Sequence, residues 1–173
     1  MLKYVRKRKG GKIMKKNILI SIIVILVIAI LILGAYFIFS NKKEEEKTLD
    51  IDAIGQTFSN TNPFNEMSTI DITIEQLDSV YGINTENVEK VVGKMPMMNV
   101  QASMYILIQA KDGTADTVKA ELDKYAKQYE EQWSMYLPEQ YELVQNRRMG
   151  IVGNTVYMII AENAETLEQE ITK

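Results

Sequence analysis

SMYILIQAKDGTADTVKAELDKYAKQYEEQW, residues 103–133, decides how the rest of the chain must be arranged. Its first eight residues are almost continuously apolar, which predicts a central β-strand. Lys111-Asp112-Gly113 is a turn signal. Beyond it, Ala115, Val118, Leu122, Tyr125, Tyr129, Trp133 and Tyr136 recur at spacings of three and four. That is one face of an amphipathic helix over about 114–135, stopped by Pro138.

Working outward, residues 88–95 read as a strand with Pro96 at its end or at a sheet edge. Residues 141–151 alternate as Tyr141, Leu143, Gln145, Arg147, Met149 and Ile151, the period of a strand. Gly153-Asn154 is a hairpin turn, and residues 155–161 form the returning strand. Asn163 can cap a last helix carrying Leu167 and Ile171. Upstream, Ile51, Ile54 and Phe58 make one helical stripe over 50–59, and NTNP at 60–63 ends it. Thr73 and Gln76 form a capping box for a short helix with Leu77, Val80 and Tyr81 on its apolar face and Gly82 at its C′ position. The predicted order is α-α-β-β-α-β-β-α. Two hairpins joined by the long helix give an α+β two-layer sandwich, with a four-stranded, mainly antiparallel sheet under one helical layer.

Ahead of this domain lies an apolar run over 18–39, in which 17 of 22 residues are Ile, Leu, Val or Phe. A helix of that length spans about 33 Å, enough for a hydrocarbon core of about 30 Å. A cleavable signal peptide has a shorter apolar region that ends in small residues, whereas Gly34-Ala35 is followed by Tyr36-Phe37. The chain contains no cysteine, so anchoring through an N-terminal lipidated Cys is excluded. The expectation is an uncleaved transmembrane helix. Residues 1–17 carry eight Lys and Arg and no acid, while Lys42, Lys43 and Lys47 on the other flank alternate with glutamates. This bias predicts a cytoplasmic N-terminal tail and an outside C-terminal domain at the cell membrane. Residues 40–48 make a charged linker that reaches at most about 30 Å. The external domain, 49–173, therefore stays close to the bilayer.

The net charge of −3 conceals an asymmetry. Residues 44–173 hold ten of the 20 basic residues and all 23 acids, a balance of −13. Such a domain is a poor ligand for nucleic acid, which needs clustered Lys and Arg. There is no His and no Cys anywhere, which removes the commonest general base, the thiolate nucleophile and the usual zinc ligands. No Walker loop, nucleophile elbow or Gly-rich dinucleotide turn is present, and no stretch asks for a cofactor. The expectation is a non-catalytic domain.

Three features bear on binding. Met95, Met97 and Met98 offer thioethers, which bind soft Cu(I), or else pack as flexible apolar side chains. Asp50 with Asp52, and Asp112 with Asp116, are oxygen donors for Ca²⁺, although neither pair fits an EF-hand loop and both sit where acids stabilise helix starts. The stretch WSMYLPEQYELVQNRRMG places Trp133, Tyr136, Tyr141, Arg147 and Arg148 close together, the residue types that anchor interaction surfaces. The plainer reading puts the aromatics in the core and sets the arginines against neighbouring glutamates. If Arg147 and Arg148 lie on a strand, their side chains point to opposite faces.

In this order of features the chain resembles a bacterial domain-of-unknown-function family, number four-three-five-eight, found in exported Gram-positive proteins. The resemblance covers about residues 49–162 and rests on Tyr81-Gly82, Tyr136-Leu137-Pro138, Tyr141 and Gly153. It implies an extracytoplasmic location and a small α+β domain. It implies no activity and no site residue. Members often look like lipoproteins anchored through a Cys, and this chain departs from them by carrying an apolar helix instead. The functional expectation is a protein- or cell-wall-interaction module, with a small-ligand or metal-ion (calcium or copper) binding domain as the alternative, and a carboxylate enzyme behind both.

Overall fold

The predicted central strand lies in the middle of the sheet. The structure, a computed structural model, describes residues 27–30, 32 and 49–173. Residues 27–30 and 32 are helical and exposed. No helix among the described residues is long and apolar enough to cross a membrane. The expected tail and linker, and all of the expected span except those five residues, lie outside the described part.

Within the unit formed by residues 46–173, the elements run α1 (Ile51–Ser59), β1 (Thr69–Asp71), α2 (Ile74–Tyr81), a 3₁₀ turn (Thr85–Asn87), β2 (Val88–Pro96), β3 (Met104–Ala110), α3 (Ala115–Trp133), α4 (Pro138–Gln145), β4 (Arg148–Val152), β5 (Thr155–Ile160) and α5 (Ala164–Thr172). The sheet is antiparallel throughout, in the order β1-β2-β3-β5-β4. The α+β class and the antiparallel sheet stand; the strand and layer counts need correction.

A fifth strand, β1, pairs Thr69 with Pro96 and Asp71 with Lys94 at the edge. At three residues it is too short to show a period. The long stretch expected as a strand over 141–151 divides into helix α4 and the shorter strand β4. Its apparent alternation skips Val144, which is fully buried. Pro138 does not simply stop the long helix. That helix ends at Trp133, and Pro138 occupies the first turn of α4, where its missing N–H costs nothing.

The sheet is also covered on both faces, so the domain has three layers. Consecutive residues along β3 and β5 are buried on opposite sides. Met104, Ile106 and Ile108 with Val156 and Met158 pack under Leu77, Val118, Leu122 and Val144. Tyr105, Leu107, Tyr157 and Ile159 pack under Ile51, Phe58, Leu167 and Ile171. A helix pair α1/α5 thus fills the face that the two-layer expectation left open. Fully burying each of these aliphatic side chains stabilises the fold by about 1.5–3 kcal/mol before chain entropy is counted.

Local signals place the element ends. Asp50 Oδ1 accepts from the N–H groups of Asp52 and Ala53 at 3.2 and 3.1 Å, capping α1. Thr73 N–H donates to Gln76 Oε1 at 3.0 Å, the reciprocal half of the expected capping box. Gly82 takes φ 64°, and Ile83 N–H closes back on Leu77 O at 2.9 Å. Only glycine adopts that backbone without strain. Asn163 sits at the start of α5, but its side chain does not cap the helix. It donates instead to Asn62 O at 2.9 Å, tying the α5 start to the segment after α1.

Candidate functional site

The five residues singled out from the sequence separate into two groups. Trp133, at the last turn of α3, is buried, and its ring lies 5.7 Å from that of Tyr136, which is half exposed. It also ends a column of rings along α3. Tyr81 to Tyr125 is 4.7 Å, Tyr125 to Tyr129 is 5.7 Å and Tyr129 to Trp133 is 6.0 Å. The period of α3 builds this column, because Tyr125, Tyr129 and Trp133 are four residues apart. Burial pushes the Tyr81, Tyr125 and Tyr129 hydroxyls above the usual phenol range. These rings form core, as the plainer reading had it, and only Tyr136 emerges at the surface.

Tyr141 on α4 lines a small concavity of about 240 Å³ with Lys127, Glu130, Glu131 and Ser134. Arg147 Nη1 pairs with Glu130 Oε2 at 2.7 Å and donates to Val144 O at 2.8 Å, bracing the end of α4 against α3. Arg148 points to the opposite face, towards α5, at 3.3 Å from Glu165 and 3.8 Å from Glu168. Its side chain is 44% exposed, so this pairing contributes at most about 1 kcal/mol. The structure therefore brings Trp133, Tyr136, Tyr141 and Arg147 to one end of the α3–α4 layer and leaves Arg148 apart from them.

That end carries more than the sequence singled out. The β2–β3 loop exposes Met97, Met98 and Val100, and the α3–α4 turn exposes Met135, Tyr136 and Leu137. Met135 is 93% exposed. The two segments meet. Ala102 N–H donates to Gln140 Oε1 at 2.8 Å, Tyr129 Oη donates to Ala102 O at 3.3 Å, and a groove of about 420 Å³ runs between Val100 and Leu137-Pro138. Leu137 has φ 40° and ψ 88°, a left-handed backbone that an L side chain adopts only at a cost. Large apolar side chains concentrated in this way mark a contact surface more often than scattered ones do. The only hint in the sequence is that MPMM and MYLP are apolar runs placed at element ends.

The thioethers do not converge. Met95 packs on the core, where Tyr81 Oη donates to its Sδ at 3.4 Å, while Met97 and Met98 are exposed. Asp50 caps α1, Asp52 pairs with Lys90, and Asn154 Nδ2 donates to Asp112 Oδ1 at 3.3 Å. Asp116 lies in the first turn of α3. Among the described residues no three His, Cys, Asp or Glu side chains are grouped to hold a metal ion.

On the other face, a cleft of about 640 Å³ lies between α1 and β2. Gly55 of α1 rests on Val92 there, so closely that a Cβ would come within 2.3 Å of its side chain. At the floor the Tyr105 hydroxyl donates to Gly55 O at 3.0 Å and shares a 2.8 Å hydrogen bond with Ser59 Oγ. Burial raises its pKa, partly opposed by Ser59. Its lining includes the Lys94–Asp71 ion pair, at 2.7 Å, and Asp52, which pairs with Lys90.

No curated protein and no solved structure matches the chain. The family model that does match begins after α1 and runs through β5, covering the whole sheet and both α3 and α4. Residues 63–161, more than half of the 173-residue chain, match the family described as a domain of unknown function, DUF4358, and the chain belongs to that family.

Proposed function

We propose that the chain is a single-pass membrane protein whose external α+β domain is a non-catalytic interaction module, engaging a protein or cell-wall partner at the cell surface. The observation that carries this reading is the exposed apolar end formed by the β2–β3 loop and the α3–α4 turn. The anchor and the outside location rest on the apolar run over 18–39 and on the basic bias of residues 1–17. The Gram-positive setting rests on the earlier family resemblance. The lack of His and Cys supports a non-catalytic role.

The test is a photo-crosslinking amino acid at Met135 in living cells, with a second at Lys124 as control, an exposed position on α3 away from the apolar end. A discrete adduct from Met135 and none from Lys124 is the expected result. No adduct, or the same smear from both, would remove the interaction reading.

A second reading, a small-ligand domain, draws on the cleft between α1 and β2. A thermal screen of the chain against wall fragments, Ca²⁺ and Cu(I) separates the two, because a ligand that binds the folded state raises its stability by RT ln(1 + [L]/Kd). A large shift abolished by Gln56→Trp, a bulky side chain at the exposed rim of the cleft, would favour this second reading.

A further inference from the structure

We infer that the apolar end docks a basic amphipathic segment, one with apolar side chains on one face and Lys or Arg on its borders. This inference rests on the interaction-module reading and specifies the chemistry of the partner.

The first argument is the composition of the surface. Met97, Met98 and Met135, three of its six exposed large apolar residues, are methionines. Thioether side chains are unbranched and polarisable, so they mould to irregular apolar partners better than branched ones do. Tyr136 adds a rigid ring with a polar tip, backed by the buried Trp133 at 5.7 Å. The groove between Val100 and Leu137-Pro138 gives an anchor side chain somewhere to insert.

The second argument is charge. The groove shares Glu139 and Gln140 with an acidic concavity beside it. That concavity is also lined by Glu142 and Glu162, while a separate one between α3 and α4 sets Glu130 and Glu131 beside Lys127. Glu130 is neutralised by Arg147. Glu131, Glu139, Glu142 and Glu162 are exposed and form no ion pair among the described residues. An acidic border disfavours an anionic lipid surface, and it disfavours a second copy of this end presenting the same glutamates. It favours a partner that brings cations to the border of an apolar face. The domain as a whole points the same way, with its balance of −13 over residues 44–173.

The third argument is the Leu137 backbone. The left-handed conformation there turns the chain sharply between α3 and α4 and sets Met135, Tyr136 and Leu137 on the outside. An L residue held in such a backbone where glycine would relieve the strain is a mark of functional sites.

The test uses the full chain in zwitterionic lipid discs bounded by a synthetic polymer. The probe is a designed Leu/Lys amphipathic helix of about 18 residues without tryptophan. A twin peptide carries Glu in place of Lys. Trp133 is the single tryptophan of the protein and touches Tyr136, so its emission reports binding at this end. We expect saturable binding of the basic peptide, weakening with salt, and none of the acidic twin. Met98→Ser and Met135→Ser should each weaken binding about tenfold. Both positions are exposed, so neither change threatens the fold. The combined Glu131→Gln, Glu139→Gln and Glu142→Gln variant should weaken it about tenfold and flatten the salt dependence. Equal binding of the two peptides would overturn the inference, and so would indifference to the glutamate changes. A signal that depends on lipid alone would assign the surface to the membrane. A protein-concentration-dependent signal without peptide would assign it to a second copy. Either result also overturns the inference. If the peptide fails while Met135 still crosslinks one discrete partner in cells, the interaction module stands and only its basic partner chemistry falls.

Discussion

Replacing Leu137 by glycine should stabilise the domain relative to replacing it by alanine, and the difference isolates the backbone. Leu137 stands at the N-cap of α4 with φ 40°. The residue is 41% exposed, and both variants lose every side-chain atom beyond Cβ, so they differ by a single methyl group. What differs is strain and capping. Alanine retains a left-handed penalty of about 1–2 kcal/mol that glycine escapes. Glycine is also the better N-cap, by up to about 1 kcal/mol. Against this, the greater freedom of glycine in the unfolded chain removes about 0.5–1 kcal/mol. The balance favours Leu137→Gly over Leu137→Ala by about 1 kcal/mol. In urea, with a slope of about 1–3 kcal/mol per molar, the midpoints should separate by about 0.3–1 M. Trp133 emission and far-UV circular dichroism should report the same gap. An alanine variant as stable as the glycine variant would mean that position 137 is unstrained, and the structural argument for its role would be lost.

Leu122→Ala should destabilise by about 2–5 kcal/mol in the same urea assay, because Leu122 is fully buried between α3 and the sheet, whereas Lys127→Ala should stay within about 0.5 kcal/mol. Alkali should unfold the domain. Tyr157 is pushed up to about 12 by burial and by the Glu168 carboxylate that accepts its hydrogen bond, and Tyr81, Tyr105, Tyr125 and Tyr129 are raised by burial. A phenol whose folded pKa exceeds its unfolded value adds stability that is complete below about pH 10 and is lost as pH rises towards the folded pKa. Urea midpoints that hold constant from pH 9 to 12 would contradict this. A cysteine introduced at the exposed Lys127 should react with a membrane-impermeant thiol reagent on wall-stripped cells, and one at Leu122 should react only after denaturation. Labelling of Lys127→Cys only after lysis would place the domain inside.

The parts of the fold legible in the sequence are those set by local physics. The α3 stripe from Ala115 to Trp133, the Thr73/Gln76 box, the Gly82 stop and the Gly153-Asn154 turn each depend on a few neighbouring residues. β1 was not legible because three residues carry no period, and it exists only through its pairing with β2. α4 was hidden by a chance alternation, although Pro138 followed by Glu139 is an ordinary helix start. The second helical layer did leave a trace. Val156, Tyr157, Met158, Ile159 and Ile160 are apolar on consecutive residues, and a strand so composed needs cover on both faces. The candidate surface was the least legible part. Met97, Met135 and Leu137 look like core residues in a sequence, and exposure is decided only when the β2–β3 loop meets the α3–α4 turn. Trp133 errs in the opposite direction, an interface type used as core.

The short outer strands have a consequence for many copies of such a domain held side by side. A sheet edge is an unfilled ladder, and two long edges that meet can zip into a continuous sheet. Here one edge is only three residues long, and the chain leaves it for α2 after Ile72, whose N–H is already given to Gly93 O at 2.9 Å. The other edge, β4, is five residues long and opens with the charged Arg148. Neither offers a register long enough to seed cross-strand growth. Molecules crowded on one surface can therefore reach high local density without polymerising through their sheets.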